Sequence, residues 1–230
     1  MQFPSFCYTL GREIISNVNK RNYQRELDQL ISKIETEGKV PTLLLHSCCA
    51  PCSSYCIEYL SQFFAITVFY YNPNIYPDEE YLQRVEEQQR FIREFPTKHP
   101  VSFIEGDFEK ERFYSEVARG LEHEPERGAR CTKCFELRLG ETAKRAAFEG
   151  MDFFATTLTI SPMKDVVLLN DIGEQMGQRF GVRYLPTEFR KKGGYLRSTE
   201  ISKSYDMYRQ DYCGCVFSLR EREAQKAASN

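Results

Sequence analysis

Residues 41 to 56, PTLLLHSCCAPCSSYC, join a short apolar run to four cysteines within nine positions. An apolar run of that length reads as a buried strand, TLLLH at 42–46. SSYCIEYLSQFF (53–64) reads as a helix with Cys56, Leu60 and Phe63 on one face. The thiols therefore stand where the chain leaves a strand and enters a helix. So many thiols in one loop gain a chain little unless something holds them.

The pattern continues. A helix is predicted over 22–37, a strand over 65–71 (AITVFYY) closed by Asn72-Pro73-Asn74, and a helix over 77–95 with Pro77 and acids at its start. A strand over 101–106, a helix over 107–120 and a long helix over 131–150 follow. The last is entered through Cys131-x-x-Cys134. DFFATTLTI (152–160) is a fourth strand and 164–181 a helix. Strands alternating with helices predict an α/β fold, a mostly parallel sheet with helices on both faces. Ligands of such sheets gather at strand carboxyl ends, and loops 46–53, 72–77 and 161–164 all fall there.

A chain of 230 residues can bury roughly 70% of its unfolded surface, so it needs neither disulfide nor metal merely to fold. The first residues, MQFPSFCYTLGREII, carry no secretory pattern. The uncharged stretch 59–77 is interrupted by Ser61, Gln62, Asn72, Pro73, Asn74 and Pro77, which fits a strand and loop rather than a membrane span. The expectation is a cytoplasmic protein without membrane partner, whose nine cysteines stay reduced and serve metal or redox chemistry. Net charge is -2, so any nucleic-acid site must be local. Residues 183–209 hold seven Arg or Lys against three acids, with Tyr184, Tyr195, Tyr205 and Tyr208 interleaved.

Seven cysteines fall in three groups: Cys48, Cys49 and Cys52; Cys131 and Cys134; Cys213 and Cys215. A CxxC at a helix start puts both sulfurs on one side, where the helix dipole favours thiolates. Gly214 allows the tight backbone that two neighbouring ligands need. Zinc and an iron–sulfur cluster both accept four thiolates, and a redox disulfide is a further reading of a lone CxxC. Four ligands complete one centre, and the remaining three suit a second centre with an open position. Cys56, on an apolar helix face, reads as core, and Cys7 as incidental. Tyr55 stands where a radical-SAM triplet would need its third cysteine, and no phosphate-binding loop is present.

LLLHSCCAPCSS, FYYNPNIYPDEEY, RCTKCFELRL, TTLTISPMKD and DYCGCVFS, in that order, resemble the epoxyqueuosine reductase QueH family. The likeness runs from about residue 20 to 219. It implies an N-terminal extension (1–20), a single α/β catalytic domain (21–219) and a tail (220–230). It further implies a sheet similar to the PP-loop (HUP) fold with a cysteine-containing helical segment at the C-terminus. The implied reaction is reduction of the epoxide of epoxyqueuosine at the tRNA wobble position, with a [4Fe–4S] cluster beside a second, mononuclear iron and no cobalamin. The implied partners are that tRNA and an external electron donor such as ferredoxin or flavodoxin. Cys48, Cys49, Cys131, Cys134, Cys213 and Cys215 are the implied cluster and iron ligands, with Cys52 as a further metal ligand. A tRNA sulfur transferase would need a nucleotide site that is lacking; a structural zinc protein that binds RNA remains the other alternative.

Asp211 and His46, each two residues from a cysteine, are the candidate proton donors. Tyr71, Asn72 and Asn74 are candidate pocket residues. Arg190, Lys191, Lys192, Tyr195 and Arg197 are the candidate RNA contacts, charges for phosphates and a ring for a base.

Overall fold

Leu43, Leu44, Leu45 and His46 are all fully buried, because their strand is covered along both edges and on both faces. In the computed structural model, which describes residues 21–228, β1 (Thr42–His46) pairs with β2 (Ala65–Tyr70) on one side and β4 (Phe153–Thr156) on the other. β2 goes on to β3 (Val101–Glu105), and β4 to the short β5 (Arg183–Tyr184). All pairings are parallel, in the order β3-β2-β1-β4-β5. The expected extension over residues 1–20, Cys7 among them, and residues 229–230 lie outside the described residues.

Alternation along β1 sorts the helices. Leu43 and Leu45 pack with Ile66, Val68, Phe153 and Ala155 against α1 (Tyr23–Glu37), α2 (Ala50–Leu60), Phe91 of α3 (Asp78–Glu94) and Ile201 of α7 (Gly194–Ser204). Leu44 faces the other way, with Phe69 and Phe154, onto Ala143 and Ala146 of α5 (Ala129–Phe148) and Met176 and Phe180 of α6 (Val166–Phe180). His46, two residues on from Leu44, is turned toward α5 by the same period of two.

Strand order reverses between β1 and β4, whose last residues His46 and Thr156 stand side by side. In doubly wound sheets a crevice opens at such a reversal, beyond the strands' carboxyl ends. The thiol loop leaves β1 there, and the turn carrying Lys164 follows β4.

Several boundaries differ from the sequence reading. The strand expected over 152–160 stops at Thr156, and a 3-10 turn occupies Thr157–Ile160. The Thr156 hydroxyl accepts the Leu158 N–H (3.2 Å), and that local bond ends the ladder. The helix expected over 107–120 is α4 (Lys110–Arg112) continued as wide π turns over Phe113–Ala118; this winding buries Phe113 and Val117 against Cys215 and Phe217. α2 starts at Ala50 rather than residue 53, with Pro51 in its first turn. The 190–198 stretch is mostly ordered turn and helix: Lys191–Gly193 form a 3-10 turn and Tyr195 and Arg197 sit in α7. α8 (Val216–Ala228) begins directly after Cys215. No helix of the described residues is long and apolar enough to cross a membrane.

Candidate metal centre

The thiol loop is clamped from three sides. Its first backbone N–H, that of Ser47, donates to the Phe69 carbonyl (3.0 Å) and so extends the ladder by one bond. The Asn72 amide, buried at the end of β2, donates from Nδ2 to the Ser47 carbonyl (2.8 Å). Gln88 of α3 accepts from the Ser47 hydroxyl (2.7 Å) and from the Ser53 hydroxyl (2.9 Å), which bracket the cysteines. With both ends fixed, the Cys48, Cys49 and Cys52 sulfurs are gathered within 4.8 Å of one another.

Two thiolates sharing one tetrahedral ion at about 2.3 Å stand roughly 3.8 Å apart, and the Cys48 and Cys49 sulfurs are 3.8 Å apart. That pair thus has the separation of two ligands on one ion, and the Cys52 sulfur lies within 4.8 Å of both. Hydrogen bonding with Cys49 and Cys52 holds the Cys48 thiol well below its ordinary range. Burial pushes Cys49 up to about 12, and Cys52 is raised chiefly by its bond to Cys48.

Cys131, Cys134, Cys213 and Cys215 line a separate cavity together with Asn74, Phe135, Arg138 and Lys164. Cys131 and Cys134 come from the first turns of α5, and the Arg127 N–H reaches the Cys131 sulfur (3.2 Å). The Cys213–Cys215 turn is held by the Tyr76 N–H on the Gly214 carbonyl (2.8 Å) and by Arg84 on the Cys213 carbonyl (3.4 Å). Gly214 has φ +130°, and an added Cβ would meet the Arg84 guanidinium at 3.1 Å; only glycine serves there. The expected dipole-stabilised thiolates are not what the metal-free chain holds: burial raises Cys131 and pushes Cys134 up to about 12. A dipole contributes about 0.3–1 kcal/mol, less than one pKa unit, so desolvation wins until a cation's own charge removes the protons.

Four thiolates are the number of donors that an iron–sulfur cluster or a structural zinc ion takes. Among the described residues, no trio drawn from them is gathered as the Cys48 group is. Asn74, buried at the cavity wall, leaves its Oδ1 without a partner.

Two cations, one buried and one half-buried, line the cavities of both thiol groups. Arg138 is fully buried: Nη2 donates to Asn72 Oδ1 (2.6 Å), Nε to His46 Nε2 (3.3 Å), and Nη1 faces the Cys134 sulfur at 3.9 Å. Lys164 Nζ lies 3.2 Å from the Cys213 sulfur. Beside them opens a larger cavity of about 370 Å³, walled by Cys48, Cys52, Cys213, Arg138, Lys164 and Tyr195. Ligand pockets run from roughly 300 to 1,000 Å³.

His46 and Asp211, expected as proton donors, are placed otherwise. Burial and the Arg138 charge push His46 down to about 3, so it stays neutral, tied to Thr156 Oγ1 (3.0 Å) and lying 3.2 Å from the Tyr71 carbonyl. Asp211 lines the larger cavity, but ion pairs with Lys226 (2.6 Å) and Arg222 (3.4 Å) keep it ionised. Neither holds an acidic proton ready near neutral pH. Of the expected RNA contacts, Tyr195 is exposed at the larger cavity. Arg190 and Lys191 pair with Glu188, Lys192 with Asp28, and Arg197 with Glu58 and Glu200. Cys56 is core, fully buried against its own helix.

Arg138, Lys164, Arg84 and Gln88 were not singled out by sequence. For three of them the signal is a charged or amide side chain on the buried stripe of a helix: Glu80, Arg84, Gln88 and Phe91 in α3, and Phe135, Arg138, Leu139 and Thr142 in α5. Lys164, in a turn, carries no such mark.

A sequence profile described as epoxyqueuosine reductase QueH matches residues 43–221. Proteins of that name share 45% identity with this chain in Streptococcus pyogenes, over 91% of this chain and 84% of that protein. The figure is 44% in Staphylococcus epidermidis, over 88% and 87%. In Thermotoga maritima it is 35%, over 81% and 94%.

Proposed function

This chain belongs to the epoxyqueuosine reductase QueH family, and we propose that it reduces the epoxide of epoxyqueuosine at the tRNA wobble position, giving queuosine, the last step of queuosine synthesis. One observation carries the reading: a gathered trio of thiols and a four-thiol cavity face each other at the switch point of the sheet, beside a cavity large enough for a nucleoside.

On this reading Cys131, Cys134, Cys213 and Cys215 hold a [4Fe–4S] cluster, and Cys48, Cys49 and Cys52 hold the mononuclear iron. When bound, the cluster supplies single electrons and the iron a Lewis-acid position for the departing oxygen. The reaction consumes two electrons and two protons: both carbon–oxygen bonds break, a carbon–carbon double bond forms, and the oxygen leaves as water. The electrons come from an external donor of the ferredoxin or flavodoxin kind, and cobalamin has no part. The protein's share is placement. Asn72 and Gln88 fix the loop that presents the trio, and the larger cavity receives a base turned out of its stack. Arg138 and Lys164 give that cavity a positive inner wall, while Asp211 and Tyr195 line its outer part. Tyr195 supplies a face for stacking, and Arg190, Lys191, Lys192 and Arg197 approach the phosphates. The setting is cytoplasmic, where the tRNA is.

A strain lacking the gene tests the reading by mass analysis of its tRNA nucleosides. Epoxyqueuosine accumulates, the intact gene restores queuosine, and a Cys131→Ser copy does not. Normal queuosine in the deletion strain, with no second reductase present, overturns it.

A further inference from the structure

Two cations, the buried Arg138 and the half-buried Lys164, stand at the thiol groups, and the reaction scheme assigns them no electron. Each faces a sulfur of a different segment: Arg138 Nη1 the Cys134 sulfur at 3.9 Å, Lys164 Nζ the Cys213 sulfur at 3.2 Å. Arg138 and Lys164 also line both cavities. A guanidinium does not lose its proton in a protein, and Arg138 is braced on His46 and Asn72, so its charge is fixed in place as well as in sign. Lys164 sits over the Phe135 ring at 5.9 Å.

Burying one cation and half-burying a second is costly unless a negative charge faces them. Neutral thiols do not supply it. A cluster ligated by four thiolates does, and becomes more negative by one unit on each reduction. A fixed cation at this range stabilises the more negative state more strongly, and does so in a medium that screens poorly.

We propose that Arg138 and Lys164 are positioning residues that raise the reduction potential of the cluster held by Cys131, Cys134, Cys213 and Cys215, bringing it within reach of the external donor. The inference rests on the reading that those four thiols hold an iron–sulfur cluster. Arg138 faces the cluster through the Cys134 sulfur and Lys164 through the Cys213 sulfur.

The test uses anoxically purified protein with its metals in place. Iron and sulfide content are measured first, then the cluster is titrated potentiometrically in the wild type, Arg138→Gln, Lys164→Gln and the charge-keeping Arg138→Lys and Lys164→Arg. At the wild-type midpoint potential, each neutral variant shows a reduced-to-oxidised ratio at least tenfold lower, equivalent to about 59 mV for a one-electron couple. The charge-keeping variants return most of it. Lys164→Gln decides the matter if Arg138→Gln loses its cluster, since Lys164 lies in a turn and supports no strand or helix core. A Lys164→Gln protein with full iron and sulfide and an unmoved midpoint overturns the inference and leaves the cluster reading standing. A wild type without sulfide or visible absorbance overturns that reading, and the inference with it.

Discussion

Asn72 shows how much a single side chain does here. Its Nδ2 donates to the Ser47 carbonyl and its Oδ1 accepts from Arg138, and it is 1% exposed. Asn72→Ala leaves a buried carbonyl and one N–H of a buried guanidinium without partners. Each unpaired group costs about 1–3 kcal/mol, more where charge is involved, so the variant is expected to lose about 3 kcal/mol in a denaturant titration. A loss below about 1 kcal/mol would mean that the thiol loop is not held through this amide. The chain signals Asn72 only as part of Asn-Pro-Asn, which reads equally well as a turn. Its partners lie 25 and 66 residues away, and spacing along the chain carries no trace of them.

At the scale of elements, strands were legible where apolar runs are long enough to be buried on both faces, as TLLLH and AITVFY are. The helices carrying the CxxC and the thiol loop were legible for the same reason, through their apolar stripes. β5 was not, because two residues make no pattern and Arg183–Tyr184 pairs only through Phe153 and Phe154. The wide turns at Phe113–Ala118 were not, since their cause is packing against Phe217, a distant part of the chain. The three cysteine groups were visible along the chain, but which of them come together was not, since that depends on which ends of the sheet loops meet. The proposed division follows the cavity that each group lines, and it is open to test. Cys131→Ser is expected to lose the sulfide and most of the iron together with the visible absorbance. Cys48→Ser is expected to lose about one iron and keep the sulfide, as befits a four-iron cluster beside one further ion. If both variants lose the same share, the two groups bind one centre and the division fails. Zinc in place of iron in the anoxically purified protein would favour the structural alternative.

For the molecule as a whole, the site lies where a doubly wound sheet is expected to hold its ligand, and on the proposed reaction the surface beside it meets RNA. The basic residues of 190–197 are paired with Glu188, Asp28, Glu58 and Glu200. Exposed pairs of this kind contribute only about 0–1 kcal/mol, so phosphates can displace the carboxylates at small cost. Replacing Arg190, Lys191 and Lys192 together by Ala is expected to weaken tRNA binding and to lower the slope of log affinity against log salt by about 2, at roughly 0.7–0.9 for each phosphate no longer neutralised. An unchanged slope would place the RNA elsewhere on the surface.

The most direct measurement takes tRNA bearing epoxyqueuosine, anoxically purified protein with its iron and sulfide quantified, and a chemical reductant, and weighs the wobble nucleoside by mass spectrometry. Loss of one oxygen, in the wild type and not in Cys48→Ser or Cys134→Ser, is the predicted result. An unaltered nucleoside from protein with a full metal complement and bound tRNA would contradict it.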